Sequence, residues 1–350
     1  MTIEHRRSTI KEVAQAAGVS TQTVSRVIND RPDVSPETRQ RVQGIIQQFG
    51  YQPSALARSL IQRRSYTLGV VTAGLKYIGP SRTLNGIAEK VEELGYSLLL
   101  KELPKFTANN IVPILQSLLS RQVDGIIWAV PEIGENRAWL EDQLPEFSVP
   151  LVFITMAPRQ NISIVSVDNY LGGRLATSHL LEQGFRHIGH IAGPLDWWEA
   201  RQRMNGWRDV LAEADAEVDQ QYWTEGNWST VSGSQAFEQL LKQYPQMDAI
   251  FVANDQMALS VMQIACRQGI RIPQDLGVVG FDNIPESAFF WPPLTTVQQD
   301  QHTVGCIAVS EIVQIIEANR KEKSVTEPKL ILLQPTLIVR ESSIAARERR

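Results

Sequence analysis

The sequence predicts two unlike folding units: an N-terminal all-α helix-turn-helix unit, followed by a two-lobed α/β core built on parallel sheets. Three observations carry this. In the first fifty residues, apolar positions recur at helical spacing between residues that cap helices. From Tyr66 onward, short apolar runs alternate with amphipathic helical stretches, the pattern of parallel strands joined by crossover helices. Charge divides at the same place, since residues 1–64 carry ten Lys/Arg against five Asp/Glu and leave 24 basic and 33 acidic residues for the remainder.

A chain of 350 residues that is 43% hydrophobic exceeds one typical domain and can bury a sizeable core. It has no apolar run long enough to span a bilayer, and its opening, MTIEHRRSTI, lacks the apolar segment of a signal peptide, so a cytoplasmic protein is expected. The formal charge of −4 averages a basic head and an acidic body. That asymmetry favours a phosphate-binding head on a body that nucleic acid repels. Cys266 and Cys306 have no CxxC partner or histidine cluster, so both are expected to be buried thiols, with no metal site and no cofactor.

In the head, Thr9-Ile10-Lys11-Glu12 reads as a capping box opening a helix that runs to about Ala17. Gly18 permits a tight turn and Ser20 caps a second helix, Thr21 to Asn29. Ser35-Pro36 starts a third, whose Val42, Ile45, Ile46 and Phe49 are expected to complete a small core before Pro53 stops it. In the second helix Val24, Val27 and Ile28 share one side, while Thr21, Gln22, Ser25, Arg26 and Asn29 share the other. A plain solvated helix face would carry Glu and Lys. Hydroxyls, amides and one arginine suit a face that meets hydrogen-bonding edges. The plainer reading is an ordinary three-helix bundle, against which local charge and topology agree.

"TIKEVAQAAGVSTQTVSRVIND" followed by "VSPETRQRVQGIIQQFGYQPSALARSL" resembles the headpiece of LacI/GalR-type transcription regulators. The resemblance implies a DNA-binding domain over 1–53 that contacts double-stranded operator DNA. Thr21, Gln22 and Arg26 would enter the major groove, glutamine suiting adenine and arginine guanine. Thr9, Ser20, Thr23, Ser25, Asn29, Ser35, Thr38 and Tyr51 would mostly hold phosphates. Residues 54–64 would form a hinge helix and linker that folds on operator, with Ser54, Ala57 and Leu60 at the DNA and Leu60 wedged into a minor-groove base step. Alone, that segment is too short to be a stable helix, and a plain linker is the alternative.

The core, 65–345, ends in a charged tail, 346–350. Its strand-like runs are YTLGVV, YSLLL, DGIIWAV, LVFI, HIGHIAG, DAIFVAND and LGVVGF. Ligands of such sheets bind beyond the carboxyl ends of the strands, which for two lobes is the cleft between them. Asn254 and Asp282 end two of these runs, Arg201 lies early in a helix after Gly193-Pro194, and Trp228 sits in the loop "EGNWST". An aromatic plate with Asn, Asp and Arg around it suits a polyhydroxylated ring. Asp255 reads as a helix cap.

The stretches "HIAGP...EARQRMNGW", "VANDQMAL", "VVGFDN" and "PPLTTVQQD" resemble the periplasmic-binding-protein-like (type I) core of the same family. That likeness implies lobe one at about 66–163 and 296–323, and lobe two at about 164–293 and 327–342. It makes Arg201, Asn254 and Asp282 effector contacts beside Trp228, and adds Tyr77, Trp197 and Gln299. Thr155 and Trp197 depart from a sugar-responsive family member, which has an aspartate and a small residue there. The expected effector is a small sugar or glycoside, with a nucleobase-type corepressor as the alternative. A homodimer is expected, since the tail "RESSIAARERR" has no leucine heptads for a larger bundle.

Two other readings fall away. His187-Ile188-Gly189-His190 spells the HIGH signature of class I aminoacyl-tRNA synthetases, but it lies inside an apolar run, and Lys321-Glu322-Lys323-Ser324 is a poor match to the required second loop. No phosphate loop, HExxH or assignable Ser/His/Asp set occurs, so no enzyme is expected. A transport-type sugar-binding protein would share the body but needs export, and it would have no use for a basic helical head.

Overall fold

The computed structural model describes residues 8–51, 64–103, 106, 111–133, 148–216, 218–321 and 327–344. The chain separates into two compact units, Met1–Tyr66 and Thr67–Arg350. Apart from Arg64, the expected hinge and linker at 54–64 lies outside the described residues, with Ser54, Ala57 and Leu60, as does the tail at 346–350.

The first unit holds α1 (Ile10–Ala17), α2 (Thr21–Ile28) and α3 (Pro36–Phe49). Each helix starts as its sequence dictates. The Thr9–Glu12 capping box is formed in both directions, and Ser20 and Ser35 accept from the amides of Thr23 and Thr38. Val13, Ala14, Ala17, Val24, Val27 and Val42 make the buried cluster, with Ile45, Ile46 and Tyr51 packed on it. Two expectations change. Helix α3 ends at Gly50 in the left-handed conformation, three residues before Pro53. Phe49 stays exposed, because the small cluster already closes on Val42, Ile45 and Ile46.

The second unit begins with β1 (Thr67–Ala73), α4 (Ile78–Glu93), β2 (Ser97–Leu103), α5 (Val112–Leu119), β3 (Gly125–Ala129), β4 (Leu151–Ile154) and β5 (Ser163–Val167). It continues with α6 (Asn169–Glu182), β6 (Ile188–Ala192), α7 (Trp198–Glu213), β7 (Trp223–Glu225), α8 (Thr230–Gln243), β8 (Ala249–Val252) and α9 (Asp255–Arg267). The last elements are β9 (Gly277–Asp282), β10 (Thr295–Gln298), α10 (Gln301–Arg320), β11 (Leu330–Leu333) and β12 (Thr336–Ile338).

Two sheets result. Lobe one is all parallel in the order β11-β5-β4-β3-β1-β2; lobe two runs β12-β10-β9-β8-β6-β7, parallel except for the antiparallel β10–β12 edge. The near-continuous apolar runs noted in the sequence are the central strands, such as fully buried Val278, Val279 and Phe281, covered by helices on both faces.

The expected lobe limits move by one strand at each crossing. β5 pairs with β4 and β11, which puts 164–167 and 330–333 in lobe one, and β10 pairs with β9, which puts 296–298 in lobe two. The chain changes lobes only after completing a strand, so that no buried strand is left half paired. The thiols also differ from expectation, since Cys266 is exposed on the outer side of α9 and Cys306 is half-buried.

Candidate functional site

The headpiece presents the polar face of α2. Val24 and Val27 are buried beneath it, Thr21, Gln22, Arg26 and Asn29 are exposed, and Thr23 and Ser25 are half-buried. Arg26 lies 3.5 Å from Asp33, with both side chains more than half exposed, a pairing weak enough to yield to another acceptor. The hydroxyls of Thr9, Ser20 and Ser35 are engaged at helix starts, and the Asn29 amide donates back to the Ser25 carbonyl at 2.8 Å. These residues therefore hold the helices in place as well as standing at the surface. Tyr51 is a half-buried part of the small core.

Within the core, a cavity of about 130 Å3 opens between the lobes at the carboxyl ends of β1, β3, β4, β8, β9 and β10. Six of the seven expected effector residues line it: Tyr77, Trp197, Trp228, Asn254, Asp282 and Gln299.

Its polar floor is a chain of side chains. Asn254 caps α9, accepting from the Met257 amide at 3.0 Å, and its Nδ2 donates to the Trp228 carbonyl at 3.0 Å. Asp282 ends β9. Its carboxylate accepts from Gln299 Nε2, Gln299 Oε1 accepts from Gln301 Nε2 at 2.7 Å, and Gln301 Oε1 accepts from the Thr83 hydroxyl at 2.9 Å. Thr83 belongs to α4 of lobe one and Asp282 to lobe two, so this run of donors crosses from one lobe to the other. Burial raises Asp282 to about 6 against the pull of Arg203.

The seventh residue is a correction. The Arg201 guanidinium turns back to the carbonyls of Leu195 and Asp196, both at 2.8 Å, and is absent from the cavity wall. Arg203 takes the place expected of it. Buried, it donates from Nε to Asn169 at 2.8 Å and from Nη1 to the Ala253 carbonyl, lies 3.9 Å from Asp282, and covers the Phe281 ring at 3.7 Å. Two residues along a helix rotate a side chain by roughly 200°. The inward face of α7 is set by Ala200, Met204 and Trp207, and Arg203 is in phase with it. Close approach of α6 at Gly206, where an added Cβ would stand 2.3 Å from the Tyr170 carbonyl, brings Arg203 within reach of Asn169. Asp255 also differs: Asn254 is the cap, and Asp255 accepts from the Ile284 amide and the Thr296 hydroxyl, with burial raising it to about 8.

An aromatic row runs Tyr77–Phe106–Trp197–Trp228 with centroids 5.6, 4.8 and 5.8 Å apart, and all but Phe106 line the cavity. The last two contacts are edge-on, at 72° and 70°. Trp228 is held in a left-handed conformation against Gly193, where a Cβ would stand 2.1 Å from its ring. Thr155 and Asp282 also line the cavity with positive φ, at 56° and 117°. Such strain gathers where a site over-determines its backbone. Two buried polar atoms in the wall have no partner among the described residues, Trp228 Nε1 and Glu199 Oε2. Neither Glu199 nor Arg203 was singled out in the sequence.

Fold and site thus define a class: a helix-turn-helix headpiece on a two-lobed core with a ligand cleft between its sheets. Family models match in both units, "Bacterial regulatory proteins, lacI family" over residues 9–54 and "Periplasmic binding protein-like domain" over residues 177–343. The chain is 34% identical over 340 residues to the HTH-type transcriptional repressor PurR of Pasteurella multocida, covering 96% of this chain and 98% of that protein. It is 30% identical to the lactose operon repressor of Escherichia coli, covering 97% and 93%. The solved structure of the lac repressor dimer bound to operator and an anti-inducer matches 97% of this chain and all of that chain, with 31% identity and a TM-score of 0.85. This chain belongs to the lacI family of bacterial regulatory proteins, DNA-binding transcription regulators with a ligand-binding core.

Proposed function

We propose that the chain is a repressor whose affinity for operator DNA is set by a small sugar or glycoside held between the lobes. One observation carries the choice of ligand. Trp197 and Trp228 meet edge to face at 70°, so they cannot clamp a flat nucleobase between them, and their apolar ring surface lies beside the polar groups of Asp282, Gln299 and Glu199. A sugar offers C–H faces and neighbouring hydroxyls to such a wall. A cellobiose complex of the regulator CelR, 31% identical with a TM-score of 0.71, agrees with this reading.

A hydroxyl bonded to Asp282 would compete with Gln299 and so pull on the donor chain that reaches Thr83 in lobe one. Ligand then favours one arrangement of the lobes, and only that preference can alter operator affinity. The working form is a homodimer, supported by Phe289 and Trp291, which are 87% and 91% exposed on lobe two. Two headpieces would read a near-palindromic operator, with Thr21, Gln22 and Arg26 at base edges. Such DNA places its work in the cytoplasm.

The test is a thermal-shift panel of lactose, ribose, cellobiose, adenine and guanine on the full chain, followed by titration of an operator duplex selected from random inverted repeats. Stabilisation by a sugar with a change in operator affinity is expected. Stabilisation by nucleobases alone would replace this ligand class.

A further inference from the structure

The cleft wall contains two carboxyl groups, Asp282 and Glu199, and one cation, Arg203. Arg203 is already committed: it bonds Asn169 and Ala253 and faces Asp282. Glu199 stands in the first turn of α7, four residues before Arg203 on the same face, yet its Oε2 is buried with no partner. A buried carboxyl oxygen left open costs free energy unless it is protonated or a ligand fills it. The charged groups facing it are Arg203 and Arg201 on its own helix and Glu132 from lobe one. Burial raises the group to about 7, against a hydrogen bond from its own backbone amide and the pull of the two arginines, and Glu132 adds to the rise.

We propose that Glu199 is the specificity-determining residue of the cleft, reserved for a hydroxyl or ammonium donor on the effector, so that the site selects neutral or amino sugars and refuses sugar phosphates and sugar acids. The inference rests on the sugar reading above. An anionic sugar would meet a carboxyl oxygen without a partner and, among the described wall residues, a single cation, Arg203, whose guanidinium is already held by Asn169 and Ala253; Arg82 stands outside the wall, in the adjoining hollow. A donor bonded to Oε2 stabilises the ionised carboxylate, which sheds its proton to solvent on binding. Affinity therefore rises with pH through about 7 and levels off above it, falling about fivefold between pH 7 and pH 6 and approaching tenfold per unit only below that.

The experiment uses matched sets on the full chain: D-glucose, D-glucosamine, D-glucuronate and D-glucose 6-phosphate, with cellobiose, D-ribose, D-ribose 5-phosphate, D-galactose and D-galactosamine. Binding is read by calorimetry at pH 6, 7 and 8, in buffers of different ionisation enthalpy that count protons. Neutral members should bind with proton release and the stated pH dependence, amino members with that release offset above pH 7 as their own ammonium titrates, and Glu199→Gln should flatten the dependence of the neutral members and narrow the gap to the anionic members. A phosphate or uronate that binds as tightly as its parent, or a pH profile unchanged in Glu199→Gln, overturns the inference; Glu199→Ala serves if the glutamine variant fails to fold. If no sugar binds, the preceding sugar reading fails, and the role of Glu199 is judged by 13C NMR of glutamate-labelled chain assigned with the same variant. Titration near 7 upholds a carboxyl held open for a donor, and titration with the exposed glutamates overturns it.

Discussion

The headpiece and the cleft treat their polar groups in opposite ways. In the headpiece the hydroxyls of Thr9, Ser20 and Ser35 close on nearby amides, the polar face of α2 is exposed, and six buried aliphatic side chains with Ile45, Ile46 and Tyr51 packed on them make the core. In the cleft, Glu199 and Trp228 keep buried polar atoms without partners, Thr155, Trp228 and Asp282 carry positive φ, and an arginine is buried. A surface that meets a polyanion can rely on many solvated contacts of modest strength. A pocket that selects a small molecule needs few groups, desolvated and fixed in advance. Changes in the cleft should therefore cost more stability than changes on the recognition face.

The largest effect is expected at Arg203. Truncation to alanine strands Asp282, Asn169 and the Ala253 carbonyl and should cost about 3–5 kcal/mol in urea unfolding. Arg201→Ala, which frees only two turn carbonyls, at half-buried Leu195 and exposed Asp196, should cost under about 1 kcal/mol. Equal losses would mean that both arginines are structural. Next is acid sensitivity. His190 is buried between Trp207 and Phe251, and burial holds its imidazole neutral, pushing it down to about 3. The unfolded chain takes up that proton near 6.5, so it binds more protons across this window. Stability is lost as pH falls from about 6.5 toward 3, at up to about 1.4 kcal/mol per pH unit. His190→Phe should remove that slope, measured as the melting midpoint between pH 7 and pH 5.

The recognition face gives the smaller stability effects. Arg26→Ala should alter stability by less than about 0.5 kcal/mol yet relax discrimination at one base pair by about 1–3 kcal/mol, read from affinities for a set of single-pair operator variants. Thr9→Ala opens the capping box and should cost about 1 kcal/mol in headpiece stability, seen as earlier loss of helix in a melt of the full chain.

Caps and periodicity made the headpiece legible. Thr9–Glu12, Ser20 and Ser35 start the helices observed, because N-capping is a local interaction written within four residues. The end of α3 was less so, since Gly50 and Pro53 are both stop signals and the nearer one acts first. The alternation of strands and helices gave the two-lobed core. The lobe crossings were hidden because SIVSV at 163–167 carries no mark of which sheet it joins. In the cleft, residues at strand ends such as Asn254 and Asp282 could be placed, because strand ends open on the cleft whatever the details of packing. Arg203 could not be told from Arg201 by likeness of short stretches, although the phase of Ala200, Met204 and Trp207 contained the answer. Glu199 had no signal beyond that phase, as its open oxygen is a property of packing.

The most direct test is anisotropy of a selected inverted-repeat duplex, titrated with full chain in the presence and absence of a panel sugar, for the wild type, Arg201→Ala and Arg203→Lys. Lysine keeps the charge but cannot hold Asn169, Ala253 and Asp282 together. A sugar-dependent change in duplex affinity is predicted for wild type and Arg201→Ala and should vanish in Arg203→Lys. A response kept by Arg203→Lys and lost in Arg201→Ala would contradict the cleft described here.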